Sequence, residues 1–183
     1  MFGNNNFYSS LPPMYTGDTH TLRVRAALDY FREAQFNGWV RKALSALRGR
    51  STALKNLERL AAETHVTSRR YVGVRPVFLA EISGSEGRTR DFDDHFHPLC
   101  SHTRQRWLNV MLARLGDVPL PPVELVQAGD RYFVRDGHHR LSVAHALGET
   151  CVDAEVTVWE LAEASAPAPA RASVGPATAR AAL

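Results

Sequence analysis

The period of the chain changes at Asp136-Gly137-His138-His139-Arg140. The run before it, Tyr132-Phe133-Val134, is apolar and short, as a strand would be. The segment after it, Leu141-Ser142-Val143-Ala144-His145-Ala146-Leu147, has helical spacing. A strand ending near Arg135, a turn holding Gly137, and a helix with His139 and Arg140 in its first turn are therefore expected. Glycine at such a junction lets backbone approach a ligand closely. The first N–H groups of the helix lack partners and carry partial positive charge. With two imidazoles and a guanidinium on that turn, the segment reads as a phosphate cradle. The plainer alternative is a strand-to-helix turn that needs its glycine and a capping Asp136 without any ligand.

A chain of 183 residues that is 44% hydrophobic can bury one real core. The formal charge of +3 is mild, below what a protein that coats DNA carries, although a local basic patch is compatible with it. Lys42 and Lys55 are its only lysines, so the positive charge is almost all arginine, which suits bidentate phosphate contacts. Cys100 and Cys151 form no CxxC pattern and suggest neither a disulfide framework nor a zinc site. With no signal-peptide pattern at Met1–Asn6 and no apolar run of transmembrane length, a cytoplasmic protein without membrane contact is expected.

Residues 1–17 read as a loose arm and residues 165–183, rich in Ala and Pro, as a disordered tail. Residues 18–71 read as a helical N-terminal segment, with Asn37-Gly38 as a candidate interruption. A second helix is expected behind Ser51 as N-cap, marked by Leu54, Leu57, Leu60 and Ala61. This segment carries Arg23, Arg25, Arg32, Arg41, Arg48, Arg50, Arg59, Arg69 and Arg70. They read as a solvated face, with an electrostatic surface for nucleic acid or an acidic partner as the sharper alternative. Beyond it, Pro76–Ile82 reads as a strand, Thr103–Leu115 as a helix, and Val123–Val126 with Arg131–Arg135 as a hairpin. Val152–Trp159 reads as a last strand.

The order strand, helix, strand, strand, helix, strand over residues 75–159 resembles the ParB N-terminal domain/sulfiredoxin superfamily. Leu120–Val126, Tyr132–Arg140, Ala144, Leu147-Gly148 and Val152–Val158 carry the resemblance. It implies an α/β domain at residues 72–160, a small mixed sheet with helices, behind the Arg-rich segment. It also implies that the glycine turn binds nucleotide phosphates. ParB-type CTP switches carry Gly-Glu-Arg-Arg here, matched by Gly137 and Arg140. Sulfiredoxins carry Gly-Gly-Cys-His-Arg. His138 takes the cysteine position, and imidazole cannot form the thiolate-derived intermediate, so sulfiredoxin chemistry is excluded. The motif itself is most similar to that of the ParB-fold free-serine kinases, which carry Asp-Gly-His-His-Arg. That likeness implies Asp136, His138 and His139 as catalytic residues, with Asp136 holding Mg²⁺ or orienting an imidazole. It implies Gly137, His138, His139 and Arg140 as nucleotide-binding residues. Those kinases place a glutamate at the start of the preceding helix, and Ser101–Trp107 has no carboxylate. The helix-turn-helix domain that follows in ParB proteins is not expected here.

The loop Gly84–His97 is long for a compact domain and should close over the glycine turn. Ser85 and Arg88 are its expected phosphate contacts. Asp91, Asp93, Asp94, His95 and His97 are potential metal ligands, but their spacing matches no defined motif, so no protein metal site is expected. The loop then reads as a surface segment pinned by Phe92 and Phe96. His20, His65 and His102 read as surface residues and His145 as structural. Trp39, Trp107 and Trp159 read as core or interface residues.

The expected function is binding of a nucleotide (CTP, ATP or ADP, with Mg²⁺) or a phosphorylated small molecule, extended by NTP hydrolysis or phosphoryl transfer if the chain is an enzyme. The alternatives are a DNA-associated ParB-like module without catalysis and a degenerate protein-interaction domain.

Overall fold

The computed structural model describes residues 19–162; the expected arm and tail lie outside them. The elements are helix α1 (Thr19–Leu47), strand β1 (Lys55–Asn56), α2 (Leu57–Glu63), β2 (His65–Phe78), β3 (Ile82–Ser85), α3 (Arg104–Leu115), β4 (Val123–Ala128), β5 (Arg131–Asp136), α4 (His138–Ala146) and β6 (Cys151–Ala162). The six strands form one mixed sheet in the order β1-β3-β5-β4-β6-β2. The fold is α/β, and from residue 75 onward the expected element order is found with its first strand split in two.

Strand alternation decides which side chains meet which layer. On one face, Val123 and Leu125 of β4 with Tyr132 and Val134 of β5 join Leu141 and Ala144 of α4, together with Phe92 and Phe96 of the long loop. On the other face, Val126, Ala128 and Phe133 meet Leu57 of α2 and Trp159. Helix α1 lies outside α3 and α4, where Ala27, Phe31 and Ala34 pack on Trp107, Met111 and Val143. The Phe31 and Trp107 rings meet edge to face at 5.3 Å, and Trp107 Nε1 donates to Ser142 Oγ at 2.8 Å.

Several local expectations are corrected. Asn37-Gly38 does not interrupt α1, which runs unbroken. Gly38 is there for packing: a Cβ on it would lie 2.8 Å from His97 Cβ, so the long loop can press against the helix. Ser51 is not the cap of α2; its hydroxyl accepts from the Ala53 N–H. Asn56 caps instead, its Oδ1 accepting from the N–H groups of Glu58 and Arg59. Leu54 leaves the helix and enters the main core.

The helical segment also ends sooner than residue 71. Lys55–Asn56 pairs in parallel with Gly84–Ser85, and from His65 the chain is strand, paired antiparallel with β6 as far as Phe78. A strand is read from apolar/polar alternation, and at this sheet edge most of β2 from His65 to Tyr71 is exposed, with Arg69 and Arg70 where apolar residues would mark it. Pro76–Ile82 is not one strand. A 3₁₀ turn at Leu79–Glu81 carries the chain from the β2 edge across to β3, between β1 and β5. A short apolar run cannot reveal that its two halves pair with different neighbours. Trp39 is exposed, unlike the buried Trp107 and Trp159.

Candidate functional site

Strands β3 and β5 are adjacent and parallel, with Ser85 in register with Val134. Their C-terminal ends therefore open at the same edge of the sheet, where ligands of open α/β sheets bind. This topology brings the loop after β3 to the turn after β5. Ser85, fully buried, lies with its Oγ 2.6 Å from His138 Nε2. Glu86 continues the tie: its N–H bonds the Val134 carbonyl and its carboxylate accepts from Arg135 Nε at 2.7 Å. Phe92 then stacks on His138 at 6.1 Å and meets His139 edge to face at 5.3 Å. The loop that the sequence placed over the glycine turn is held there by Ser85, Glu86 and Phe92.

Gly137 stands at the N-cap of α4 in the left-handed region, φ 97°, and no side chain caps the helix. A Cβ there would lie 2.6 Å from Val123 Cγ1, so glycine is required by both φ and space. Asp136 is thus the last residue of β5 and not a capping side chain. The first intrahelical bond runs from the Leu141 N–H to the Gly137 carbonyl, which leaves the N–H groups of the first turn without helical partners.

A cleft of about 440 Å³ opens at this turn, lined by Asp136–Arg140, Arg88, Arg106, Val110, Leu120 and Pro121. Its two histidines bring no positive charge to the cleft. His138 and His139 are 4% and 7% exposed. Burial first, and the Arg88 charge second, push both down to about 4, with Arg106 adding to the effect on His139. Both imidazoles are neutral at pH 7, and Nδ1 of His139 is buried without a partner among the described residues.

Arg140, expected among the phosphate ligands, lines the cleft and is also engaged within the fold. Its Nη1 donates to the carbonyls of Pro121 and Pro122 at 2.6 and 2.8 Å, and its Nη2 donates to Asp136 Oδ2 at 2.6 Å. It staples the approach to β4 onto the helix start. The exposed positive charge of the cleft comes from Arg88 and Arg106. Arg106 is the residue sequence reading missed. Its position alone gives no mark of the cleft, since Arg104 and Arg106 are both exposed in the first turn of α3. Arg106 makes no ion pair among the described residues, whereas Arg88 has a loose one with Asp91 at 3.5 Å.

The loop carboxylates do not form a metal site together. Asp93 is fully buried in a knot of hydrogen bonds from the N–H groups of His95 and His97 and from His97 Nδ1. Burial alone would push it up, but the bonds and charge of His97 more than offset that and hold it below the carboxylate range. Asp94 pairs with Arg41 at 3.0 Å. Among the lining residues, Asp136 is the one carboxylate.

Of the N-terminal arginines, Arg32, Arg41 and Arg59 are engaged by Asp29, Asp94 and Glu63, and Arg69 lies over the Trp159 ring. No helix among the described residues is long and apolar enough to cross a membrane.

No family model matches the chain, and no curated protein matches it. Among solved structures it is similar to sulfiredoxin from Arabidopsis thaliana, at 17% identity and a TM-score of 0.35, over 45% of this chain and 82% of that one.

Proposed function

We propose that the cleft at the start of α4 binds the phosphate group of a nucleotide or other phosphorylated small molecule. One observation carries the reading. An uncapped helix N-terminus, entered through a left-handed glycine, shares a cleft with two arginines from two other segments, Arg88 and Arg106. Unpaired N–H groups and the helix dipole favour an anion there. Guanidinium groups add charge-assisted, bidentate donors.

The neutral histidines give the cradle shape and hydrogen-bonding capacity, not charge. Mg²⁺ that accompanies a nucleotide is held through one or two carboxylates plus phosphate oxygens. Asp136 fits that demand: its side chain is 67% exposed and Arg140 occupies only Oδ2. The ion would neutralise phosphate charge. Binding is better supported than catalysis, because imidazoles pushed to about 4 are poorly matched to proton transfer at neutral pH.

The test is a thermal-shift and calorimetric screen of CTP, ATP, ADP and GTP, with and without Mg²⁺. A ligand at about 100 times its dissociation constant should stabilise the fold by roughly 2.7 kcal/mol. Arg106→Ala and Arg88→Ala should each weaken the binding by about ten- to a hundredfold. No shift with any nucleotide, or full affinity in both variants, refutes the reading.

A further inference from the structure

A second group of chemistry-bearing side chains lies where the loop rejoins α3. Asp91, Cys100 and His102 each present a donor atom, and the three donors lie within 4.8 Å of one another. His102 Nε2 is 3.3 Å from Asp91 Oδ1. Sequence spacing hides the group, since eight residues lie between the aspartate and the cysteine.

The backbone brings the two segments together and holds them. Phe92 and Pro98 form an antiparallel bridge, and the Leu99 N–H bonds the Asp91 carbonyl at 2.9 Å. Asp91 and Cys100 thus flank the closed neck of the loop. Beyond the neck the chain turns at once into a 3₁₀ turn, Ser101–Thr103, and Thr103 Oγ1 donates to the Cys100 carbonyl at 2.6 Å. That turn swings His102 back over the neck. The buried Phe92 anchors one side and the start of α3 the other, so the three Cα positions are set by the fold.

We infer that Asp91, Cys100 and His102 form a binding site for one zinc-class divalent cation. The donor set selects the ion: thiolate and imidazole favour zinc over magnesium or calcium, which take oxygen donors. Zinc bonds of about 2.0–2.3 Å in a tetrahedron place donors roughly 3.3–3.8 Å apart. The aspartate–histidine pair already has that separation, and small side-chain rotations of Cys100 and His102 would bring the remaining distances, at most 4.8 Å, into that range. Three protein donors leave the fourth position open to water or to an added ligand. Cys100 loses its thiol proton to solvent as it binds, so affinity rises with pH. The site touches the phosphate cleft through Asp91, whose Oδ2 lies 3.5 Å from Arg88 Nη1, but its donor set stands without that proposal.

The experiment uses the whole chain, without a histidine tag and stripped of metal by chelator, titrated with Co²⁺ and then Zn²⁺. Wild type should take one Co²⁺ per chain with a thiolate-to-cobalt absorption band, and Zn²⁺ should displace it. Cys100→Ser should lose the band. His102→Ala and Asp91→Ala should weaken binding by about tenfold or more, and Cys151→Ser should change nothing. Circular dichroism confirms that each variant is folded. A folded wild type with no band, a band that survives Cys100→Ser, or a band lost in Cys151→Ser overturns the assignment.

Discussion

Replacing Arg140 by alanine separates two roles that its position in the motif leaves merged. If the guanidinium were a free phosphate ligand, its loss would cost affinity and leave the fold alone. The structure gives it three internal bonds, to Pro121, Pro122 and Asp136, and leaves its side chain only 16% exposed. Two of these are charge-assisted bonds to carbonyls, partly open to water, which contribute about 1 kcal/mol each after competition with solvent. The third is an ion pair to an exposed aspartate and contributes less than about 1 kcal/mol.

Arg140→Ala should therefore destabilise the folded chain by roughly 2–3 kcal/mol, lowering Tm by about 5–10 °C. Arg106→Ala, with no hydrogen-bond or ion-pair partner to lose among the described residues, should stay within about 0.5 kcal/mol of wild type. Urea denaturation followed by tryptophan fluorescence, with Trp107 and Trp159 buried, reads both. Wild-type stability in Arg140→Ala together with loss of nucleotide affinity would refute the staple and return Arg140 to the role of ligand.

Two further outcomes follow from the same turn and its histidines. Gly137→Ala forces a side chain into left-handed backbone and against Val123, and should cost about 2–4 kcal/mol by thermal melting; a loss below about 1 kcal/mol would show that the turn relaxes freely. Burial holds His138, His139 and His145 at about 4 in the folded chain, below the roughly 6.5 of a free imidazole, so the unfolded chain takes up protons first. Stability should be complete above about pH 6.5 and fall toward pH 4, by up to about 1.4 kcal/mol per pH unit for each histidine. Urea midpoints unchanged between pH 7 and pH 5 would contradict the burial of these rings.

The neutral histidines show where sequence and structure part. From Asp136–Arg140 alone, two imidazoles beside an arginine read as positive charge. Their protonation is set by what covers them, and the cover is Phe92, from a loop more than forty residues earlier. Arg140 reads the same way until Pro121 and Pro122 are found against it. Arg106 was overlooked for the converse reason: an exposed arginine in a helix carries no local mark of the cleft it faces.

Local chemistry determined a good deal without tertiary information. The change of hydrophobic period at Asp136, with a glycine at the break, set strand β5, the turn and helix α4, because these depend on neighbours a few residues away. The Gln127–Asp130 hairpin and the α/β class are of the same kind. The tertiary structure alone decided what lies across the sheet. It sent Pro76–Ile82 into two strands, turned His65–Tyr71 from helix to edge strand, and set Ser85 beside His138. It also drew Asp91, Cys100 and His102 together. Each of these depends on which strands pair and in which direction. Pairing is settled by the burial of whole faces and not by the residues of any one segment.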